Sequence, residues 1–522
     1  MVLVFFEVLR ESLTAMRTGL STLLPSALTA LTLVNITLAD VVHYPPAATN
    51  INNISFVFNG TGAPGIFTSS DTPDSEYGVY NWCNMPHVRQ REYKTPPRAY
   101  TLEYVEVIQR HHKRTPYSSN TFFKEDVSWS CDGSGATFGM IRQVLVALTF
   151  VDPLTSGYIA RVVLEQVYRQ YSGKHLRTLK IRGFQHCQFP QITSEGLQDS
   201  ITHGSDLRAV YASRLGLPAK LDPTTTKIRV TNNVITSQVA SGLVAGLFPL
   251  SEPHDIAVMI QSSNFDSLEP AYSCGAASRL ISDYTTGSDG AQWQAHLTEA
   301  APLYSKLDKV SGIATQDSGG WHVSFDHYYD NLSAKQCHGK ALPCSVNDTS
   351  LCITQEEANT VYRLGNWEYS YQFRDAPQSA QYSAFRYGVW ALELESHLQA
   401  KVDGTSQVAH DGSISPLLGL LQIDQMVWPG ISDRLPSGAQ RHVGRKAFIG
   451  NRLTQHLLQV VFELYSTGGR SKSFFIRVLW GGQPMKTSTP LGILDMIPLS
   501  KFLAYIDTMV GGGSDLFTAC TQ

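Results

Sequence analysis

Leu102-Glu103-Tyr104-Val105-Glu106-Val107-Ile108-Gln109-Arg110-His111-His112-Lys113-Arg114-Thr115-Pro116 carries most of what this chain says about its architecture. The first half alternates apolar and polar residues, the period of a β-strand, and ends at Gln109-Arg110. The second half is polar, contains Pro116 and reads as a loop running to Asn120. Arginines on both sides of a histidine at a strand exit suit an anionic ligand. A guanidinium fork matches phosphate oxygens through charge-assisted hydrogen bonds. The same positive charge lowers the imidazole pKa and keeps the ring neutral and nucleophilic. By composition alone, a solvated basic turn would look the same.

Working outward, residues 138–170 hold two helix-like runs, Gly139–Phe150 and Ser156–Tyr171, and 194–214 a further helix stopped by Gly216. Lys227–Val230 and Asp255–Gln261 read as strands, and Val234–Leu247 as an apolar helix ended by Pro249. Residues 265–400 are polar and mostly helical by pattern, with a capping box at Thr354–Glu357 and a long helix from Gln378 to Lys401. Ser406–Ala409 is a short strand candidate leading into His410-Asp411, with Ser413–Ile423 a helix after it. Val460–Tyr465 and Phe474–Leu479 form a hairpin around a Gly-Gly turn, and a last helix covers 499–509, followed by a flexible tail at Gly511–Gly513. This order predicts an α/β fold, a mixed and mostly parallel sheet flanked by helices, with an inserted mainly helical cap. The expected divisions are an irregular arm over 40–95, a core over 96–265 and 400–522, and a cap over 266–399. Ligands of such sheets sit beyond the carboxyl ends of the strands. Arg110-His111 and His410-Asp411 both follow strand candidates, so the pairs could share one crevice.

With 522 residues, 43% hydrophobic and 16% charged, the chain has the composition of a globular protein. With a net charge of −3, nothing suggests a nucleic-acid binder, which would need a concentrated basic face. Leu20–Ala39 is apolar and uncharged behind Met16-Arg17, which predicts a signal peptide over 1–39 starting at Met16 and cut near Ala39; a membrane anchor is the alternative. Residues 1–15 would then lie outside the mature protein. Secretion also fits sequons at Asn53, Asn59, Asn331 and Asn347. It fits the eight cysteines too: Cys83, Cys131, Cys187, Cys274, Cys337, Cys344, Cys352 and Cys520. Their pairing is open by spacing. Cys337, Cys344 and Cys352 with His338 could suggest zinc, but there is no CxxC pair, which favours a local disulfide plus a longer link. No Gly-x-Ser-x-Gly elbow, P-loop or HExxH occurs.

The segment Arg110–Pro116 resembles the RHGxRxP signature of the histidine acid phosphatase family, branch 2 of the histidine phosphatases, as found in fungal secreted members. Val408-Ala409-His410-Asp411-Gly412-Ser413 resembles the family's second site motif. Gln191–Gly196 with Leu207-Arg208 is similar to its first long helix, so the likeness covers about 100–265 and 400–510. The resemblance implies a phosphoglycerate mutase-like core and a secreted acid phosphatase acting on phosphomonoesters. His111 would be the nucleophile, Asp411 the general acid, and Arg110, Arg114 and His410 would bind phosphate. It implies no metal or organic cofactor and a small phosphorylated substrate as partner. No nucleic acid and no stable membrane insertion after cleavage are expected. Three departures stand out. His112 replaces the family's glycine. The family's third phosphate-binding arginine falls on Asn233–Ile235, leaving Arg229 as the candidate substitute. Residues 432–459 have no counterpart and are either a surface loop or foreign to the mature protein. The alternatives are a catalytically weak or repurposed member of the fold, and a phytase, which the cap's few lysines and arginines disfavour.

Overall fold

A computed structural model describes residues 2–7, 53–62, 83, 87–122, 128–131, 141–143, 187–251, 258–260, 266, 267, 270, 272–314, 316, 317, 320–404, 420, 421, 459–468 and 472–522. The strands are β1 (Val2–Glu7), β2 (Tyr100–Gln109), β3 (Ile141–Gln143), β4 (Thr226–Val230) and β5 (Val258–Ile260), then β6 (Gln459–Thr467), β7 (Phe474–Trp480), β8 (Gln483–Pro484) and β9 (Ile497–Pro498). They join in the order β3-β5-β4-β1-β2-β6-β7-β8, with β9 also on β7.

The expectation of a mostly parallel sheet is corrected. Only β3/β5 and β5/β4 pair in parallel among the described strands. β1 runs antiparallel to both β2 and β4, and the β2/β6 and β6/β7 pairs are antiparallel. Because β1 opposes both neighbours, β2 and β4 point the same way, and their carboxyl ends lie on one edge of the sheet. Part of the Gly139–Phe150 run is also corrected: Ile141–Gln143 is strand β3, not helix.

Both faces of the sheet are covered. Strand side chains alternate, so Tyr104, Ile108, Phe462, Leu464 and Val478 enter one core while Val105, Val107, Val461 and Leu479 enter the other. The second core is closed by α2 (Ser194–Leu215) and α3 (Val234–Leu247). Thr193 caps α2 by accepting from Gly196 N, and Gly216 stops it in the left-handed conformation, φ +68°. The first core is closed by α9 (Ser379–Val402) and α10 (Leu499–Val510).

Between β5 and α9 come α4 (Gly275–Thr285), α5 (Ala291–Glu299), α6 (Ala301–Ser311), α7 (Asp326–Gln336) and α8 (Gln355–Ser370). They build a third, aromatic-rich core around Trp293, Trp367, Tyr304 and Tyr328. The capping box at Thr354 and Glu357 opens α8 as expected. A short helix, α1 (Ile54–Asn59), lies in the arm read as irregular, and its Val57 carbonyl accepts from Arg363 Nε on α8 (2.8 Å).

The tail after Gly511 is also corrected: Gly513–Thr521 is a helix, α11, tied to the start of α4 by Cys274–Cys520. The other disulfides are Cys83–Cys337, Cys131–Cys187 and the local Cys344–Cys352, so the three cap cysteines bond sulfur and not zinc. Among the described residues no helix is long and apolar enough to cross a membrane.

Candidate active site

β2 delivers Arg110 and His111 at its carboxyl end, and the following loop is bolted to the start of α2. Thr115 N donates to Gln191 O (2.9 Å) and Thr193 N to Lys113 O (3.2 Å). Gly196 makes this approach feasible. A Cβ there would lie 2.0 Å from the Lys113 carbonyl oxygen.

Within the loop the His111 ring is fixed at both nitrogens. Its Nδ1–H donates to the His112 carbonyl (3.0 Å), leaving the Nε2 lone pair to accept from Arg114 Nε (3.2 Å). Burial, then the charges of Arg114 and Arg110, hold this imidazole well below its usual range despite the opposing carbonyl contact. The ring is therefore neutral, with its Nε2 lone pair engaged by a guanidinium.

Arg114 is oriented from the cap. Its Nη2 donates to Asp330 Oδ1 on α7 (2.7 Å), its Nη1 to Thr115 O (2.9 Å), and its plane lies 4.4 Å from the Tyr117 ring centre. Asp330 Oδ2 accepts from Asn120 Nδ2 (2.8 Å) and Tyr117 N (3.1 Å). Burial alone would raise the Asp330 carboxyl. The charge of Arg114 and these hydrogen bonds outweigh burial and hold it below the ordinary value. Arg110 is lowered by burial and then by Arg114, so two cations share a poorly hydrated corner. Such a corner attracts an anion strongly, because little water screens it.

His410 and Asp411 lie outside the described residues. Arg229 is corrected as the substitute cation. It is fully buried, its guanidinium donating to Ser267 Oγ (3.0 Å) and lying 3.6 Å from Asp266 and 3.7 Å from Glu393. Asn233, at the position of the missing arginine, caps α3 and donates to Tyr117 Oη (3.0 Å).

Of the sequons, Asn53, Asn59 and Asn347 are exposed. Asn331 is corrected: it is buried and its Nδ2 donates to Asn120 O (2.9 Å), which leaves no room for a glycan on the folded chain.

Sequence reasoning missed Asp330, the anchor of Arg114. It stands 216 positions away in the cap helix, and nothing in its local pattern distinguishes it from a solvated carboxylate. It also missed the packing behind the loop, where His112 meets His203, which in turn stacks on His87.

No family model matches the chain. It is 26% identical over 349 residues to counting factor 60 of Dictyostelium discoideum, covering 63% of this chain and 74% of that protein. Among solved structures it is similar to the apo form of Hafnia alvei phytase, with a TM-score of 0.42 and 13% identity, over 80% of this chain and 98% of that one.

Proposed function

We propose that the chain is a secreted phosphomonoesterase of the histidine acid phosphatase type, working through a phosphohistidine at His111. The observation that carries this is the neutral imidazole whose Nε2 lone pair faces Arg114, with Arg110 beside it. An incoming phosphoryl group takes the place the lone pair now shares with Arg114 Nε. Nε2 attacks phosphorus and the ester P–O bond breaks. The leaving alkoxide takes a proton, the role assigned to Asp411. Arg110 and Arg114 stabilise the charge spread over the phosphoryl oxygens. Water then attacks phosphorus and passes a proton back to the carboxylate assigned to Asp411, the P–N bond breaks, and phosphate leaves with the imidazole neutral again.

No cofactor enters this sequence. Four disulfides suit an oxidising compartment, which supports a secreted protein with a leader cleaved near Ala39. The surface sequons Asn53, Asn59 and Asn347 are the proposed glycan sites.

A second reading is a weak or repurposed pocket, favoured by Asn233 standing where a third cation is expected and by the burial of Arg229. A missing donor of this kind costs about a hundredfold in rate. Hydrolysis of p-nitrophenyl phosphate between pH 3 and 7 tests both. His111→Ala should abolish turnover, Asp411→Asn should slow it, and acid quench of wild type should trap an acid-labile phosphoenzyme. Well-folded wild type with neither turnover nor trapped phosphate would leave the repurposed pocket as the better reading.

A further inference from the structure

Behind His111 lies a layer of buried imidazoles that the phosphoryl-transfer scheme leaves unused. His87, His203 and His112 are 0%, 1% and 4% exposed. His87 stacks on His203 with ring centres 3.5 Å apart, and His112 meets His203 edge-on at 4.4 Å. His87 Nε2 pairs with Asp206 (2.7 Å), whereas His203 Nδ1 is buried with no hydrogen-bond partner among the described residues.

The protonation of His112 can be read from a chain of hydrogen bonds whose polarity is fixed at one end. The Val88 backbone N–H can only donate, and it donates to Gln459 Oε1 (2.8 Å). Gln459 must then present Nε2 to Gln109 Oε1 (2.9 Å). Gln109 therefore turns its Nε2 donor toward His112 Nε2, 2.7 Å away. A donor faces that ring nitrogen, so His112 Nε2 has to accept, and the ring has to be neutral. Rotating either amide would bring two donors or two acceptors together, and Val88 N forbids the rotation that would cure it. A proton added to His112 breaks the relay at its last link. The same residue's carbonyl accepts from His111 Nδ1 and sets which nitrogen of His111 is free.

We propose that His112 is a positioning residue for His111, locked neutral by the relay that begins at Val88, and that protonation of the His112–His203 pair releases the loop and sets the acid limit of the site. The proposal rests on His111 being the nucleophile. His112 thus does more than fill the space of a glycine: its ring buys a pH-dependent lock.

The charged groups around the layer are consistent with this. Lys113 lies on the same loop, its Nζ 3.3 Å from Asp199 and 3.7 Å from Glu195, both on α2. Arg89, paired with Glu92, adds positive charge near His203 from the segment preceding β2. Asp206 on α2 engages His87. Burial, then His87 and Lys113, push the His112 imidazole down to about 3; burial, then His87 and His112, push His203 well below its usual value. Both groups are depressed in the folded chain. Their contribution to stability is complete above the unfolded value of about 6.5 and is lost as pH falls toward the folded values.

The test uses the full-length secreted protein, with His203→Phe, which keeps a ring, and His112→Gln, which keeps an acceptor; neither can take a proton. Denaturant unfolding is followed from pH 3 to 7, alongside kcat/KM on p-nitrophenyl phosphate and calorimetric binding of inorganic phosphate. Wild type should lose up to about a hundredfold in its folding equilibrium per pH unit below 6.5 from these two groups. Each variant should remove about tenfold per pH unit of that loss, and the acid limb of activity and phosphate binding should move to lower pH. Parallel slopes in wild type and both variants would overturn the proposal. A changed slope with an unmoved phosphate-binding limb would overturn the positioning role. Absence of turnover in wild type, with slope and binding limb both shifted, would count against phosphatase chemistry and in favour of the lock.

Discussion

Arg114 is pinned by a carboxylate from another core, and the charge on that carboxylate can be removed without removing its shape. Asp330→Asn keeps an acceptor for Arg114 Nη2 but leaves the guanidinium uncompensated and free to shift. A misplacement of about 1 Å costs about a hundredfold. Asp330→Asn should therefore lower kcat/KM on p-nitrophenyl phosphate by about that factor, and Asp330→Ala should also destabilise the fold by about 1–3 kcal/mol through the donors it leaves unpaired, read by urea unfolding. If Asp330→Ala turned over like wild type, Arg114 would not be the phosphate clamp. A second buried pair can be tested for stability alone. Glu463 accepts from Arg477 Nε (2.5 Å) and from the hydroxyls of Tyr93 (2.7 Å) and Tyr211 (2.8 Å). Arg477→Met strands that carboxylate in the core and should cost about 3–5 kcal/mol. The double variant Arg477→Met/Glu463→Gln should recover part of the loss. Residue-scale chemistry was legible in the sequence only where a local pattern carried it. Arg110, His111 and Arg114 sit within five positions, whereas Gln109 meets Gln459 350 positions away, and neither glutamine carries any local signal.

Elements were legible where period and caps agreed. β2, α2, β4, α3, β6, β7 and α9 formed close to where their patterns placed them, because alternation and capping residues act locally. What the pattern could not give was which faces meet. Glu103 and Glu106 make β2 look half solvated, yet both are buried, accepting from Ser466 Oγ (2.5 Å) and Tyr104 Oη (2.8 Å). α11 escaped because three glycines resemble a tail. Gly511 in fact ends α10 at φ +73°, and Gly512 N donates to Asp515 Oδ2 (3.2 Å) to start the next helix. α2 and α3 cross at small residues, where a Cβ on Gly204 would lie 2.0 Å from Leu243 O and one on Gly246 2.0 Å from Ile201 O. Gly246→Ala should therefore lower stability by about 1–3 kcal/mol with catalysis retained. Gly196→Ala should impair catalysis as well, since it presses on Lys113 in the site loop; thermal melting with kinetics separates the two. β1 raises a different question. Val2–Glu7 is a strand with five apolar residues before Glu7, read as lying outside the mature protein, and it sits between β2 and β4. The proposed leader cleavage predicts a mature N-terminus at Asp40, checked by intact mass of the secreted protein. Recovery of residues 2–7 would instead make β1 a permanent strand of the sheet.

At the scale of the whole molecule, three cores have to act as one, and covalent links tie the cap and the tail together. Cys83–Cys337 spans 254 positions and fastens the arm to the end of α7, the helix that carries Asp330. Cys274–Cys520 spans 246 positions and fastens α11 to α4. α9 is the non-covalent joint, with Tyr382 in the aromatic core and Trp390, Leu394 and Leu398 in the sheet core. Long loops gain most from closure in the chain-entropy account, so each long link should contribute about 5 kcal/mol, against about 2–3 kcal/mol for the eight-position Cys344–Cys352 loop. Only the first long link bears on the site. Cys83→Ser/Cys337→Ser should lower the melting temperature and also loosen α7, so phosphate affinity should fall with stability. Cys274→Ser/Cys520→Ser should lower the melting temperature by a similar amount and leave phosphate affinity unchanged at temperatures where the variant is folded. Equal affinity losses in both variants would mean that Asp330 is positioned by the fold as a whole; a loss confined to the first assigns the cap's hold on Arg114 to α7 and its tether.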